Sequence, residues 1–139
     1  MSEKSLPKPT EAELELLRIL WSRGPSTVRA IHESLGAEKE TGYTTTLKIL
    51  QKMTDKGLVL RDESDRSHVY SAAIKAEQTQ RQLVRDLLQK AFGGSPAQLV
   101  VQALSEKKAS ADELAEIRRL LDSLEAGQGK AKVKSVSNK

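Results

Sequence analysis

Apolar residues recur every three or four positions near the start of the chain, and this spacing predicts an amphipathic helix. Thr10 and Glu13 have the spacing of a capping box, which satisfies free backbone amides at a helix start. Gly24 and Pro25 then favour an end of this helix near Ser22. The predicted inward stripe of the first helix consists of Leu14, Leu16, Leu17, Leu20 and Trp21.

Two more helices with one apolar face each are predicted to follow. The second is capped by Ser26 and extends to about Leu35, and the third runs from about Tyr43 to Asp55, with Gly57 ending it. Their inward positions are Val28, Ile31 and Leu35 in the second helix and Leu47, Leu50 and Met53 in the third.

A β-hairpin is predicted next, because the segment from Leu58 to Ser71 places two short β-prone runs on either side of a polar turn. Residues 10–75 therefore have the order helix, helix, helix, hairpin. This order has a direct use, since the third helix of a winged helix-turn-helix fits the major groove of DNA and the hairpin reaches the flanking backbone.

The second half of the chain predicts three further amphipathic helices. They cover residues 76–92, then Pro96 to about Leu104 after a Gly93-Gly94 hinge, and then a segment that begins with a second capping box at Ser110. No large core lies nearby, so these faces need a partner, and the simplest partner is the same segment of a second copy. The predicted dimerisation residues are Leu83, Leu87, Leu88, Leu114, Ile117, Leu121 and Leu124.

The fold class predicted from these elements is mainly α with a small β-hairpin. Four segments follow from it: a flexible arm at 1–9, a winged-helix domain at 10–75, a helical dimerisation domain at 76–125 and a disordered basic tail at 126–139.

The net charge of +4 suggests a protein that binds nucleic acid, but the distribution of the charge along the chain does not support this. Residues 1–75 carry 12 Lys and Arg against 11 Asp and Glu, and residues 76–125 carry 7 against 8. Residues 126–139 carry 4 against none, so the excess lies in the tail. DNA binding therefore has to come from a local face, while the tail either solvates the chain or adds salt-sensitive, non-specific affinity.

Several classes of protein are excluded by composition. The chain has no cysteine and only two histidines, so neither a disulfide nor a zinc site is expected. It has no paired carboxylates in a plausible pocket, no nucleophile with a base and no phosphate-binding loop, so we expect no enzyme, catalytic residue, metal or cofactor. No apolar stretch has the roughly 18 residues of a membrane span, and no signal sequence is evident, so a cytoplasmic location without membrane contact is expected.

The outward face of the third helix and the hairpin carry the candidate contacts to double-stranded operator DNA. Threonine hydroxyls and lysines suit phosphates and guanine acceptors, and glutamine suits adenine. The acidic residues Asp62, Glu63 and Asp65 oppose entry of the wing tip into a groove, so the wing is expected to clamp the backbone. The candidates are Thr44, Thr45, Lys48, Gln51 and Lys52 on the helix, and Arg61, Arg66, Ser67 and His68 on the wing.

Other interpretations of these residues stay open at this point. A helix face of Thr, Lys and Gln is often simply solvated, Arg29 is a further backbone candidate, and Tyr70 suits either the core or the surface. His32 is expected on a helix surface. A winged helix can also bind protein instead of DNA, but that alternative predicts apolar outward residues on the third helix.

The residues from Tyr43 to Val59 closely resemble the recognition-helix pattern of the penicillinase-repressor family, of the BlaI, MecI and CopY type. Pro9 to Trp21 resembles that family's first helix, and the resemblance covers about residues 7–125. It implies a homodimer that represses genes by binding a palindromic operator with its N-terminal domains and pairs through C-terminal helices. The residues it implies in DNA binding are Thr44, Thr45, Lys48, Lys52 and Arg66.

The chain departs from that family's pattern in two places. The copper-responsive branch uses C-terminal cysteines, which are absent here, so copper sensing is not expected. The β-lactam-responsive branch is inactivated by cleavage at an Asn-Phe pair, where this chain has Gln102 and Ala103. A protease acting on the C-terminal domain is a candidate partner by resemblance only, and the inducing signal stays open.

Overall fold

A computed structural model describes residues 7–36 and 42–137, with side chains through Gln128. Most of the predicted arm, residues 37–41 and the last two residues lie outside these ranges. The described elements, in chain order, are α1 (Glu11–Arg23), β1 (Ser26–Thr27), α2 (Val28–Leu35), α3 (Tyr43–Lys56), β2 (Val59–Asp62), β3 (Val69–Ala72), α4 (Ala76–Ala91), α5 (Pro96–Glu106) and α6 (Ala111–Ser137). The predicted fold class is confirmed.

Helix α1 begins and ends as its sequence predicts. The Glu13 amide donates to Thr10 Oγ1 at 3.2 Å, and the Thr10 amide donates to Glu13 Oε1 at 2.9 Å, which completes the capping box. At the other end Gly24 has a φ of 87°, a conformation that glycine adopts without steric cost. Its amide donates to the Leu20 carbonyl at 2.7 Å and ends the helix.

The core joins α1, α2, α3 and the hairpin. Side chains from the predicted stripes of all three helices meet there, and the hairpin contributes the aromatic ring of Tyr70, which is only 1% exposed. The buried apolar set is Leu16, Leu17, Leu20, Val28, Ile31, Leu50, Met53, Leu58, Val59, Tyr70 and Ile74. This core fixes the third helix against the first two, as a helix-turn-helix requires.

The sheet has three strands in the order β1-β3-β2, all antiparallel, where the sequence predicts two. Ser26 pairs with Tyr70 and Thr27 with Val69, so β1 covers the outer edge of β3. The prediction of Ser26 as the cap of α2 is wrong, because Ser26 belongs to this strand. Thr27 caps the helix instead, with its hydroxyl accepting from the Ala30 amide at 3.2 Å.

The chain divides into two compact units, residues 1–89 and 90–139. The boundary between them lies later in the chain than the predicted boundary at residue 75. The first unit includes α4 as far as Gln89. Long-range contacts join the chain around this helix to the chain around α1. Trp21 Nε1 donates to the Ile74 carbonyl at 2.9 Å, and Lys8 pairs with Asp86 at 2.9 Å. The pattern of apolar and polar residues does not predict these contacts, because each joins residues that are far apart in the chain.

The second unit contains α5 and α6, and its last helix is longer than predicted. The second capping box is confirmed, since Ser110 and Glu113 exchange bonds of 2.9 and 3.0 Å. The backbone of α6 continues to Ser137, where the sequence predicts a disordered tail from residue 126. No proline interrupts the segment, and lysines near a helix C-terminus are favoured by the helix dipole.

Candidate nucleic-acid interface

Five polar side chains form one exposed face of α3, which we call the recognition face: Thr44, Thr45, Lys48, Gln51 and Lys52. At 100° per residue they lie opposite the three buried residues of the same helix, Thr46, Leu50 and Met53. The burial of one side therefore determines which residues the helix presents to solvent. All five sequence candidates on this helix lie on the same face.

Asp55 shares the exposed side of α3, one turn beyond Gln51, and sequence reasoning left it out. Its carboxylate would repel a DNA phosphate, so any contact of this face with DNA would be favoured over the turns of the helix before Asp55. Helical spacing alone places Asp55 on this face, since residues 48, 51, 52 and 55 are three or four positions apart. This agrees with the N-terminal part of a recognition helix reaching the base edges.

The C-terminal end of α3 is held to α1 by an ion pair. Lys56 Nζ lies 2.7 Å from Glu13 Oε1 and 3.0 Å from Oε2, and the Glu13 side chain is 4% exposed. Burial raises the pKa of Glu13, but the hydrogen bonds from Lys56 and from the Thr10 amide outweigh it, so the net pKa lies below its usual value. The Glu13 carboxylate thus caps α1 and forms an ion pair with Lys56 at the same time.

We expect Glu13→Gln to lower the free energy of unfolding by about 1–2 kcal/mol at pH 7, because the charge that binds Lys56 is lost. Since the pKa of Glu13 is lowered by folding, its contribution is present above the unfolded value of 4.5 and is lost as the pH falls through the folded value. Urea unfolding between pH 7 and pH 3 measures both effects. Glu11→Gln, on the exposed side of the same turn, is the control and should change neither.

The wing is formed by β2, β3 and the turn between them, and two of its acidic side chains, Asp62 and Glu63, have partners within the hairpin. The Asp62 carboxylate accepts from the Ser64 amide at 2.9 Å and from its hydroxyl at 2.7 Å, and these bonds lower the pKa of Asp62. The Glu63 carboxylate lies 2.6 Å from Arg61 Nη2. Much of the negative charge near the wing tip is therefore already engaged within the hairpin.

Arg61 is the wing candidate that the structure places least favourably. Tyr70 is the partner of Arg61 in the strand register. A hydrogen bond with the Tyr70 side chain and the charge of Glu63 both raise the pKa of Arg61. A phosphate that binds this guanidinium would compete with Glu63 for its charge. Arg66, Ser67 and His68 are all exposed in the turn, and Arg29 is exposed on α2.

His32 is not simply a surface residue, as the sequence suggests, but is half-buried between α2 and α3. Its Nδ1 lies 3.1 Å from Thr46 Oγ1, and its ring meets that of Tyr43 at 5.8 Å and 77°. Helical periodicity could not find this contact, because it depends on how two helices cross. Thr46, which is fully buried, was also missed for that reason.

The predicted dimerisation residues differ in exposure within the single chain. In the first unit Leu87 is exposed, and Leu83 and Leu88 are half-buried. In the second unit Leu121 and Leu124 are more than half exposed, Leu114 is exposed and Ile117 is half-buried. Further exposed apolar residues of this unit are Val100, Val101, Leu104 and Leu120. So much apolar surface on one small unit is typical of a protein-protein contact.

Gln102 and Ala103, the pair at the position of the family's cleavage site, are exposed and lie inside α5. Within the described residues, no helix is long and apolar enough to cross a membrane. The same part of the chain contains no cluster of three or more His, Asp or Glu that could hold a metal.

Comparison with known proteins gives consistent matches. Residues 9–123 match the family model described as penicillinase repressor. The transcriptional regulator BlaI of Mycobacterium tuberculosis is 36% identical over 120 residues, which is 86% of each chain. The penicillinase repressor of Staphylococcus aureus is 22% identical over 113 residues, or 81% of this chain and 90% of that protein. The methicillin resistance regulatory protein MecI of the same species is 20% identical over the same share of this chain and 92% of its own. The family match begins just before α1 and reaches into α6, so it covers both compact units.

Proposed function

Since this chain belongs to the penicillinase repressor family of transcriptional regulators, we propose that it represses genes as a homodimer bound to palindromic operator DNA. In each subunit, the recognition face of α3 reads the bases and the wing holds the flanking backbone. Such a protein binds chromosomal DNA, and we therefore propose a cytoplasmic location. A regulator of this kind needs no catalytic site.

One observation carries this proposal: the recognition face is polar, exposed and set on a helix whose opposite side is fixed in the core. A hydroxyl, an amide and an ammonium on such a helix can address both phosphates and base edges. A protein-binding winged helix would instead present apolar groups here. The five residues of the recognition face offer none.

Two-fold pairing sets the form of the operator. The two copies of α3 in a dimer would meet the major groove one or more helical turns apart, so the two half-sites form an inverted repeat. Each half-site binds weakly alone, and tethering makes the second binding event intramolecular. Whatever weakens pairing therefore releases the DNA.

Proteolysis is one means of release that the family membership supports. Gln102 and Ala103 are exposed, but they lie inside α5, so a protease would first have to unwind this helix to obtain an extended substrate. The protease would act on the second compact unit and leave the DNA-binding unit whole. Loss of the dimer would then reduce operator affinity without altering the recognition face.

The proposal is tested by a mobility-shift assay on the DNA that flanks the protein's own coding sequence. We expect a complex on a fragment that contains an inverted repeat, with log affinity falling steeply as log salt rises because several phosphates are contacted. A fragment with the same composition in scrambled order is the control. Equal affinity for the two fragments would contradict sequence-specific repression.

Within this assay, Lys48→Ala should lower operator affinity by about 1–3 kcal/mol if the ammonium reads a base, and should weaken the preference at one position of each half-site. If Lys48 binds only a phosphate, affinity should fall for all sequences alike and the salt slope should decrease by about 1. Lys108→Ala, exposed between α5 and α6 of the second unit, removes the same charge from a different element and should change neither. An unchanged operator affinity of the Lys48→Ala variant would show that Lys48 does not contact the DNA.

A further inference from the structure

The first turn of α3 lacks a side-chain cap. Its N-cap residue is Gly42, which has no side chain to accept from the free amides, whereas Thr10, Thr27 and Ser95 cap α1, α2 and α5. Thr44 and Thr45 of the recognition face lie in this uncapped turn. Something other than a cap must therefore hold the turn in place.

That support comes from three contacts that we call the α2–α3 bridge. Two come from α2, His32 to Thr46 and His32 to Tyr43, and the third, Thr46 to Gly42, joins α3 to its own N-cap residue. The Thr46 hydroxyl donates to the Gly42 carbonyl at 3.3 Å, so its oxygen is free to accept from His32 Nδ1 at 3.1 Å. Both the Nδ1–H tautomer and the imidazolium supply this donor. The bridge thus joins the imidazole to the first turn of α3.

Burial makes these polar contacts specific. Thr46 is 0% exposed, so its hydroxyl has no water to replace a lost partner. The edge-on contact between the rings of His32 and Tyr43 adds a second point of support one turn earlier. Two contacts from one imidazole therefore restrict both the position and the rotation of the start of α3.

We propose that His32 is a positioning residue for DNA recognition: through Thr46 and Tyr43 it sets the placement of Thr44 and Thr45 against the operator. This rests on the proposed function, but His32 itself touches no DNA. Base readout depends on side-chain placement at hydrogen-bond distances, so a shift of the first turn weakens specific binding. Contacts to phosphates further along α3 and on the wing are retained.

The test uses the whole 139-residue chain, four single variants and the double variant His32→Leu with Thr46→Val. His32→Leu keeps bulk but removes the donor, and Thr46→Val keeps shape but removes the acceptor. His32→Asn restores a donor near the position of Nδ1. Ser34→Ala, on the exposed side of α2, is the control. Operator and scrambled fragments are titrated in parallel at several salt concentrations.

We expect His32→Leu and Thr46→Val each to lower operator affinity about tenfold, the size of effect that follows when a buried polar group loses its partner. Affinity for scrambled DNA and the salt slope should stay unchanged, because no phosphate contact is lost. The double variant should lose no more than either single one. His32→Asn should recover most of the affinity, and Ser34→Ala should match the unaltered protein.

Other outcomes would overturn the proposal. A lower salt slope in His32→Leu would make His32 a direct phosphate contact, and an equal loss on both fragments would mean a general effect on folding. Hydrogen exchange of the Thr46 amide, which donates to the Gly42 carbonyl at 3.1 Å, tests the bridge without DNA. It should exchange about tenfold faster in His32→Leu. If it does not, the bridge is wrong, whereas failure of the unaltered protein to select the operator would contradict the proposed function instead.

Discussion

If the proposed homodimer pairs through α6, Leu121→Asp should convert it into monomers and lower affinity for the proposed operator by roughly 100- to 10,000-fold, the range expected when two tethered sites become independent. Leu121 is 52% exposed in the single chain and lies on the α6 stripe with Leu114, Ile117 and Leu124. A carboxylate placed in that contact would be desolvated without a partner, which costs more than the lost apolar burial. The recognition face itself would be untouched.

Sedimentation measures the subunit association, and the mobility shift measures its effect on the operator. Ser123→Asp is the matched control, since it adds the same charge on the opposite side of α6 and should leave the dimer intact. Helix content by circular dichroism should be the same in both variants. A full dimer in Leu121→Asp would show that the subunits pair through another surface, with Leu83, Leu87 and Leu88 of α4 as the next residues to test.

Local signals account for the elements that could be predicted from sequence. The capping boxes at Thr10 and Ser110, and the glycine that ends α3, act within a few residues, so the sequence displays them directly. The recognition face was also predictable. It is the polar complement of a buried stripe, and helical periodicity specifies both together.

Features that depend on long-range contact could not be predicted in the same way. Strand β1 has only Ser26 and Thr27, too few residues for an alternating pattern, and it exists because β3 offers it a free edge. The contact of His32 with Thr46 depends on the crossing of α2 and α3. The pairing of Arg61 with Glu63 depends on the geometry of the turn, which residue types alone do not determine.

Tyr70 illustrates the same limit, and it gives the largest expected effect on stability. From sequence it suited either the core or the surface, whereas the structure leaves it 1% exposed in the central strand. It pairs with Ser26 on one side and Arg61 on the other, so its ring lies where the sheet meets the helical core. Its hydroxyl is one cause of the raised pKa of Arg61, its partner in the strand register.

Tyr70→Ala should therefore lower the free energy of unfolding by about 3–5 kcal/mol, as expected for removing a buried aromatic ring. Since small domains have roughly 5–15 kcal/mol in total, the variant should be marginally folded and should bind its operator poorly on warming. Urea unfolding followed by circular dichroism gives the difference, provided that the slope with urea is unchanged.

Tyr70→Phe separates the ring from its hydroxyl. It keeps the buried ring and removes only the hydroxyl, so we expect a loss of no more than about 1 kcal/mol. If the ring matters as argued, the phenylalanine variant should unfold near the urea concentration of the unaltered protein and bind the operator as well. Equal destabilisation of both variants would transfer the effect to the hydroxyl, and the link between Arg61 and Tyr70 would then hold the wing to the core.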